Sequence, residues 1–299
     1  MRALRAELVV EAGNELGEGV LWSPSDGEVQ WTDISGRRFW AYRPSDGRSR
    51  SVALPDRLTC FAPLGGSKLL AGFAGGLAVF DLESGVRRLI AAVEADRPST
   101  RLNDGKLDRK GRLVFGTMDE DSPPRPIGQI YSYEGAPAPR PLASGVRIAN
   151  SIAFSPDGRR MYFADTPTKI IRCYDYHVDS GEVSGERTFA AFQGPGSPDG
   201  STVDSDGCLW NAEWGGGRVA RYTTDGRVDR VVDLPCSHVT CCAFGGANLD
   251  QLYVTTARTG LDPAALAREP LAGALFAVNA GVLGVADTPF PVARLPHSD

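Results

Sequence analysis

Asn150-Ser-Ile-Ala-Phe-Ser-Pro-Asp157-Gly158-Arg-Arg-Met-Tyr-Phe-Ala-Asp165 reads as two short apolar strands around an Asp-Gly turn. Such a turn needs positive φ, which glycine adopts at little cost, so the stretch predicts a hairpin. The same figure returns as Glu18-Gly-Val-Leu-Trp-Ser-Pro-Ser-Asp26-Gly27-Glu-Val-Gln-Trp-Thr-Asp33 and as Asn103-Asp-Gly-Lys-Leu-Asp-Arg-Lys110-Gly111-Arg-Leu-Val-Phe-Gly-Thr117. It appears again as Asp199-Gly-Ser-Thr-Val-Asp-Ser-Asp206-Gly207-Cys-Leu-Trp-Asn-Ala-Glu213, with weaker copies from Thr59 to Phe73 and from Thr240 to Thr256. A second hairpin signal follows each copy, as in Arg38-Phe-Trp-Ala-Tyr42, Gln129-Ile-Tyr-Ser-Tyr133 and Arg218-Val-Ala-Arg-Tyr222. Each unit therefore supplies about four strands.

The turn glycines Gly27, Gly66, Gly111, Gly158 and Gly207 lie 39, 45, 47 and 49 residues apart. A period in the forties with four strands per unit is the signature of a β-propeller. Six copies predict an all-β, six-bladed β-propeller with four-stranded blades, covering residues 1–299 as one domain. A strand near Ala6 to Val10 is expected to close the last blade beside C-terminal strands around Phe290 to Leu295. One short helix is expected at Asp262-Pro263-Ala-Ala-Leu-Ala-Arg268, from an N-cap Asp and Pro at the first helical position.

Composition agrees and excludes several classes. The 35 glycines and 21 prolines suit many tight turns. A balance of 32 basic against 37 acidic residues gives no electrostatic footprint for nucleic acid or an anionic membrane. No apolar run approaches the roughly 18 residues of a membrane helix. The first residues carry Arg2, Arg5, Glu7 and Glu11 in place of an apolar signal core. The six cysteines form no C-x-x-C pair and read as reduced, packed thiols of a cytoplasmic protein.

The repeat also locates a site. Registering the copies on their turn glycines and looking eight positions back gives Asn103, Asn150 and Asp199. Aligning Ser23-Pro24 with Ser155-Pro156 adds Glu18, and matching Phe244 to Phe154 adds Thr240. In the divergent second copy Arg57, Leu58 or Thr59 could hold the place. Equivalent positions in a radial fold form a ring around the axis, at the start of the innermost strands. Two carboxylates and two primary amides on one ring suit a hard divalent cation such as calcium, magnesium or manganese. The plainer reading is a set of strand-start caps hydrogen-bonded to neighbouring blades.

Competing chemistry is sparse. His177, His238 and His297 are far apart and form no H-E-x-x-H. There is no G-x-S-x-G elbow, Walker loop or G-x-G-x-x-G, and Gly215-Gly216-Gly217 reads as a tight turn. His238 lies two residues before Thr240, as Arg101 lies two before Asn103; period two puts each pair on one face.

With these pieces assembled, the chain resembles the SMP-30, gluconolactonase and regucalcin family of sugar lactonases. The matching segments are Leu16-Gly-Glu18-Gly, Arg101-Leu-Asn103-Asp-Gly-Lys106, Gly116-Thr-Met118, Asn150 to Gly158, Pro198-Asp199-Gly200 and Phe244-Gly-Gly246. The resemblance implies a six-bladed propeller holding one divalent cation (calcium, zinc, manganese, magnesium or iron) on Glu18, Asn150 and Asp199. It implies sugar contacts from Arg101 and Asn103 and from an acid just after Gly116-Thr-Met118. Asp119, Glu120 and Asp121 all qualify, and Asp121 is closest by offset. The implied reaction is hydrolysis of an aldonolactone, with the metal polarising the carbonyl and Asp199 assisting water attack. The expected partner is a small sugar lactone, with no nucleic acid or membrane, and the protein a monomer or weak homo-oligomer. A metal-dependent hydrolase of other lactones or phosphotriesters, or a non-catalytic cation-binding propeller, are the alternative readings.

Overall fold

The computed structural model describes residues 4–296, so His297 and the first three residues lie outside it. The turn glycines carry the predicted positive φ, from 61° at Gly66 to 79° at Gly207. Each of these turns closes an inner hairpin, and six four-stranded blades result. From the axis outward the first holds Gly17–Ser23, Glu28–Asp33, Arg38–Arg43 and Arg48–Ala53; the second Leu58–Gly65, Lys68–Phe73, Gly76–Asp81 and Arg87–Ala92. The third holds Thr100–Leu107, Leu113–Asp119, Gly128–Tyr133 and Arg140–Val146; the fourth Ala149–Phe154, Arg160–Asp165, Ile170–Tyr176 and Val183–Ala191. The fifth holds Ser197–Val203, Leu209–Trp214, Arg218–Tyr222 and Val228–Asp233. The sixth has Val239–Gly245, Gln251–Thr256 and Leu275–Asn279, and takes Glu7–Val10 as its outer strand. Inner strands touch in chain order around the ring, and that of the sixth blade meets that of the first.

The closure differs in part from expectation. Glu7–Val10 does complete the last blade, but against Leu275–Asn279, while Leu4–Arg5 adds a parallel fifth strand to blade five. Residues Phe290 to Leu295 form no strand. Pro289 and Pro291 remove ladder donors, and Val292–Arg294 is a 3₁₀ turn. This segment instead straps the turn end of the ring: Phe290 stacks on Tyr133 at 6.0 Å and Arg109 donates to the Ala286 carbonyl. The helix Pro263–Arg268 forms as expected, with Asp262 Oδ1 accepting the Ala265 amide at 2.7 Å.

Apolar side chains fill the wedges between neighbouring blades. Phe39, Leu58, Phe61, Phe73 and Phe80 join blades one and two, and Val114, Ile152, Phe154 and Phe163 join blades three and four. Carboxylates at the ends of second strands then tie down the loops that deliver the inner strands. Asp33 accepts the Glu15 and Leu16 amides at 3.0 and 2.9 Å, and Asp165 accepts those of Arg147 and Ile148 at 3.1 and 3.0 Å. All six cysteines are buried and free. Among the described residues no helix is long and apolar enough to cross a membrane.

Candidate active site

Strand pairing tests the register read from the repeat. Trp22, Leu107, Phe154 and Val203 pair with Val29, Leu113, Met161 and Leu209 at the matching step of their hairpins. Four residues earlier stand Glu18, Asn103, Asn150 and Asp199. Every inner strand breaks its pairing at this level, between Glu18 and Leu21, Leu102 and Gly105, Asn150 and Ala153, and Pro198 and Ser201. An unpaired residue in a ladder re-aims its side chain, and here six such bulges surround the axis. In blades two and six the bulge falls at Thr59 and Thr240. That singles out Thr59 from the three candidates. Both threonines are buried with their hydroxyls bound to backbone oxygens, Thr59 to Gly72 at 2.9 Å and Thr240 to Gly17 at 2.5 Å.

The polar members form one network. Asn103 Nδ2 donates to the Ala149 carbonyl at 2.9 Å and to Asn150 Oδ1 at 3.0 Å, while its Oδ1 accepts from Arg101 at 2.7 Å. Asn150 Nδ2 donates to the Thr166 hydroxyl at 2.9 Å, and that hydroxyl donates to the Pro198 carbonyl at 2.9 Å. Asn103 is thus a bridge that fixes Arg101 and Asn150 together. Two buried atoms of this network stay unsatisfied: Asp199 Oδ1, an acceptor, and Arg101 Nε, a donor. Arg101 Nε lies 3.3 Å from the Glu120 carboxylate without an aligned hydrogen bond.

Three acids converge here. Burial and the neighbouring Asp104 carboxylate push the Glu18 carboxyl up to about 8. Asp199 is raised well above the ordinary range by burial and by Glu18. Asp104 is raised to about 6 by burial, although its oxygens accept the Gly105 and Ile152 amides at 2.8 and 2.9 Å. Carboxyl groups this close and this desolvated keep protons unless a cation joins them. The donor set fits a hard divalent cation: Glu18, Asp199 with its orphaned Oδ1, and the Asn150 amide oxygen are all oxygen donors. Among the described residues no group of three His, Cys, Asp or Glu side chains is arranged to hold a cation.

The acid after Gly116-Thr-Met118 is placed differently from the offset expectation. Asp121 is exposed and pairs with Arg125 at 2.7 Å, and Asp119 is buried on the same arginine at 2.9 Å. Glu120 is the one beside Arg101, and it also takes a two-pronged ion pair from Arg57. The strand ends at Asp119 and the chain turns away, which carries Asp121 out of the site. Sequence reading offered Arg57 only as one of three candidates for the ring place in blade two, and gave Asp104 and Thr166 no role. Arg57 had a signal, since it precedes Thr59 by two residues as Arg101 precedes Asn103. His238 sits at the same mouth, stacked on Trp214 with centroids 4.0 Å apart. A cavity of about 410 Å³ opens at the opposite, turn end of the channel under the C-terminal strap. Gly19, Cys60, Asp104 and Cys241, each one residue past the ring level, line it, and Glu18, Asn150 and Asp199 do not.

Comparison with known proteins agrees with this fold. The family model described as the SMP-30/gluconolactonase/LRE-like region matches residues 16–258. The chain belongs to that family. This places it among enzymes that hydrolyse lactone esters. It is 43% identical over 291 residues to an L-arabinolactonase from Azospirillum brasilense, covering 96% of this chain and 95% of that one. It is 33% identical to a 6-deoxy-6-sulfogluconolactonase from Pseudomonas putida, covering 94% and 97%. The crystal structure of a calcium-binding regucalcin from Agrobacterium tumefaciens superposes with a TM-score of 0.92 at 32% identity, over 98% of this chain and all of the other.

Proposed function

We propose that this protein is a cation-dependent sugar lactonase that opens a neutral aldonolactone to the aldonic acid, with Glu18, Asn150 and Asp199 as the cation ligands. The observation that carries the reading is the pair of unsatisfied buried atoms at this level of the channel, Asp199 Oδ1 on the ring and Arg101 Nε two residues before ring member Asn103. One is an acceptor suited to a cation and a water, the other a donor suited to a substrate oxygen. When bound, a divalent cation supplies Lewis acidity toward the lactone carbonyl oxygen.

The remaining work falls to side chains. Asp199 takes a proton from the water that attacks the carbonyl carbon. As the ring C–O bond breaks, the same proton passes to the leaving ring oxygen, so one water is added and nothing else is consumed. Arg101, held by Asn103 on one side and Glu120 on the other, orients the substrate hydroxyls and oxygens. No covalent nucleophile is required.

The test is hydrolysis of L-arabinono-1,4-lactone and D-glucono-lactone, followed by proton release with and without chelator. Wild-type rates well above the buffer blank are expected, lost on chelation and restored by calcium, manganese or zinc. Asp199→Ala should fall by about 100-fold or more. A wild type at the blank rate on every sugar lactone overturns the reading, and activity indifferent to chelator removes the cation from it.

A further inference from the structure

His238 and Trp214 have no part in the machinery above, yet both belong to its register. Trp214 follows Glu213, the partner of Pro198, as Thr166 follows Asp165, the partner of Ala149. Thr166 touches Asn150, and Trp214 on blade five pairs with Ser197, two residues before Asp199. His238 occupies on blade six the place of Arg101 on blade three. In a closed ring of six those blades face each other across the axis, so His238 lies opposite Arg101.

The pair is held rigidly. A bridge joins the Trp214 and His238 backbones, and the two rings stack at 4.0 Å with 14° between their planes. His238 Nδ1 lies 2.9 Å from the Thr259 carbonyl oxygen. A carbonyl can only accept, so Nδ1 carries the hydrogen and Nε2 of the neutral ring is an acceptor. No described residue engages that Nε2. An acid packs against the preceding residue: Glu269 accepts the Ser237 amide and hydroxyl at 2.7 and 2.9 Å. The stacked rings offer a flat apolar face and one neutral acceptor.

We infer that Trp214 and His238 are specificity-determining residues that select a lactone whose far end is neutral and hydroxylated. The C–H face of the sugar rests on the stacked rings, and a substrate hydroxyl donates to His238 Nε2. Arg101 and Glu120 hold the opposite end. A sulfonate, phosphate or carboxylate at the far carbon meets an acceptor and an acidic neighbour, and is disfavoured. The inference rests on the lactonase reading and narrows its substrate class.

The experiment compares kcat and KM for L-arabinono-1,4-lactone and its 5-deoxy analogue in the wild type, His238→Phe and His238→Gln. In the wild type the deoxy lactone is expected to show a KM about tenfold higher, the effect of leaving one site acceptor unmatched. His238→Phe keeps a flat ring but removes the acceptor. It should raise the KM of the hydroxylated lactone to that of the deoxy compound, leave the deoxy compound unchanged, and hold kcat within about twofold. His238→Gln, which retains an acceptor, should keep the discrimination between the two lactones. Equal shifts for both lactones in His238→Phe, or no shift for either, overturn the inference, as does loss of discrimination in His238→Gln. A wild type inactive on both lactones overturns the lactonase reading itself, a separate result.

Discussion

Single residues in this site are defined by the partners they share. Glu120 is clamped by Arg57 and stands 3.3 Å from Arg101, while Asp121 is spent on Arg125 at the surface. Glu120→Gln should therefore raise KM for the sugar lactone by about 3- to 10-fold, because Arg101 loses its second anchor. Asp121→Ala should change KM by less than about twofold, and a steady-state comparison of the two variants checks the assignment. Asp104 is not a ring residue, yet its carboxylate raises both Glu18 and Asp199. Asp104→Asn is expected to weaken manganese binding by about 10- to 100-fold in calorimetry while the ligands stay in place. Equivalent spacing made Glu18, Asn103, Asn150 and Asp199 legible in the sequence. Glu120 was legible only as one of three acids, because offset counting cannot tell where a strand stops and the chain swings its next acid outward.

Among the elements, the inner strands matter most, and their common bulge is what turns a periodic sequence into a site. Alternation predicts which face a residue takes, but it does not predict a broken ladder. For that reason the strands were visible from the start, whereas the assignment of Thr59 in blade two needed the paired register. The C-terminal strap was misread for a related cause: Phe290 looks like a strand residue until its two flanking prolines are weighed. Its ring is 2% exposed and stacks on Tyr133. Phe290→Ala should cost about 3–5 kcal/mol of stability, read from chemical denaturation, with kcat little changed because the strap lies at the end of the channel away from the donor ring. A similar loss in kcat at full folding would mean that the strap reaches the chemistry.

For the whole molecule, the three buried acids couple stability to pH. The Glu18 carboxyl is raised from an ordinary 4.5 to about 8. Below about pH 4.5 it holds its proton in both states. Between there and about pH 8 the unfolded chain releases the proton while the folded protein keeps it, so the cation-free protein loses stability as pH rises through this window. Melting temperatures in chelator should thus be lower at pH 8 than at pH 5, and added calcium or manganese should raise the melt more at pH 8. A flat profile in chelator contradicts the carboxyl cluster. The way the ring closes has a consequence in time. Glu7–Val10 is made early in synthesis and Leu275–Asn279 late, and each is the other's hydrogen-bonding partner. Until the second emerges, the first is an unsatisfied edge on an open arc of blades, a standing invitation to pair with another chain. The seam that seals the finished propeller is therefore its most exposed point on the ribosome, where a chaperone has most to offer.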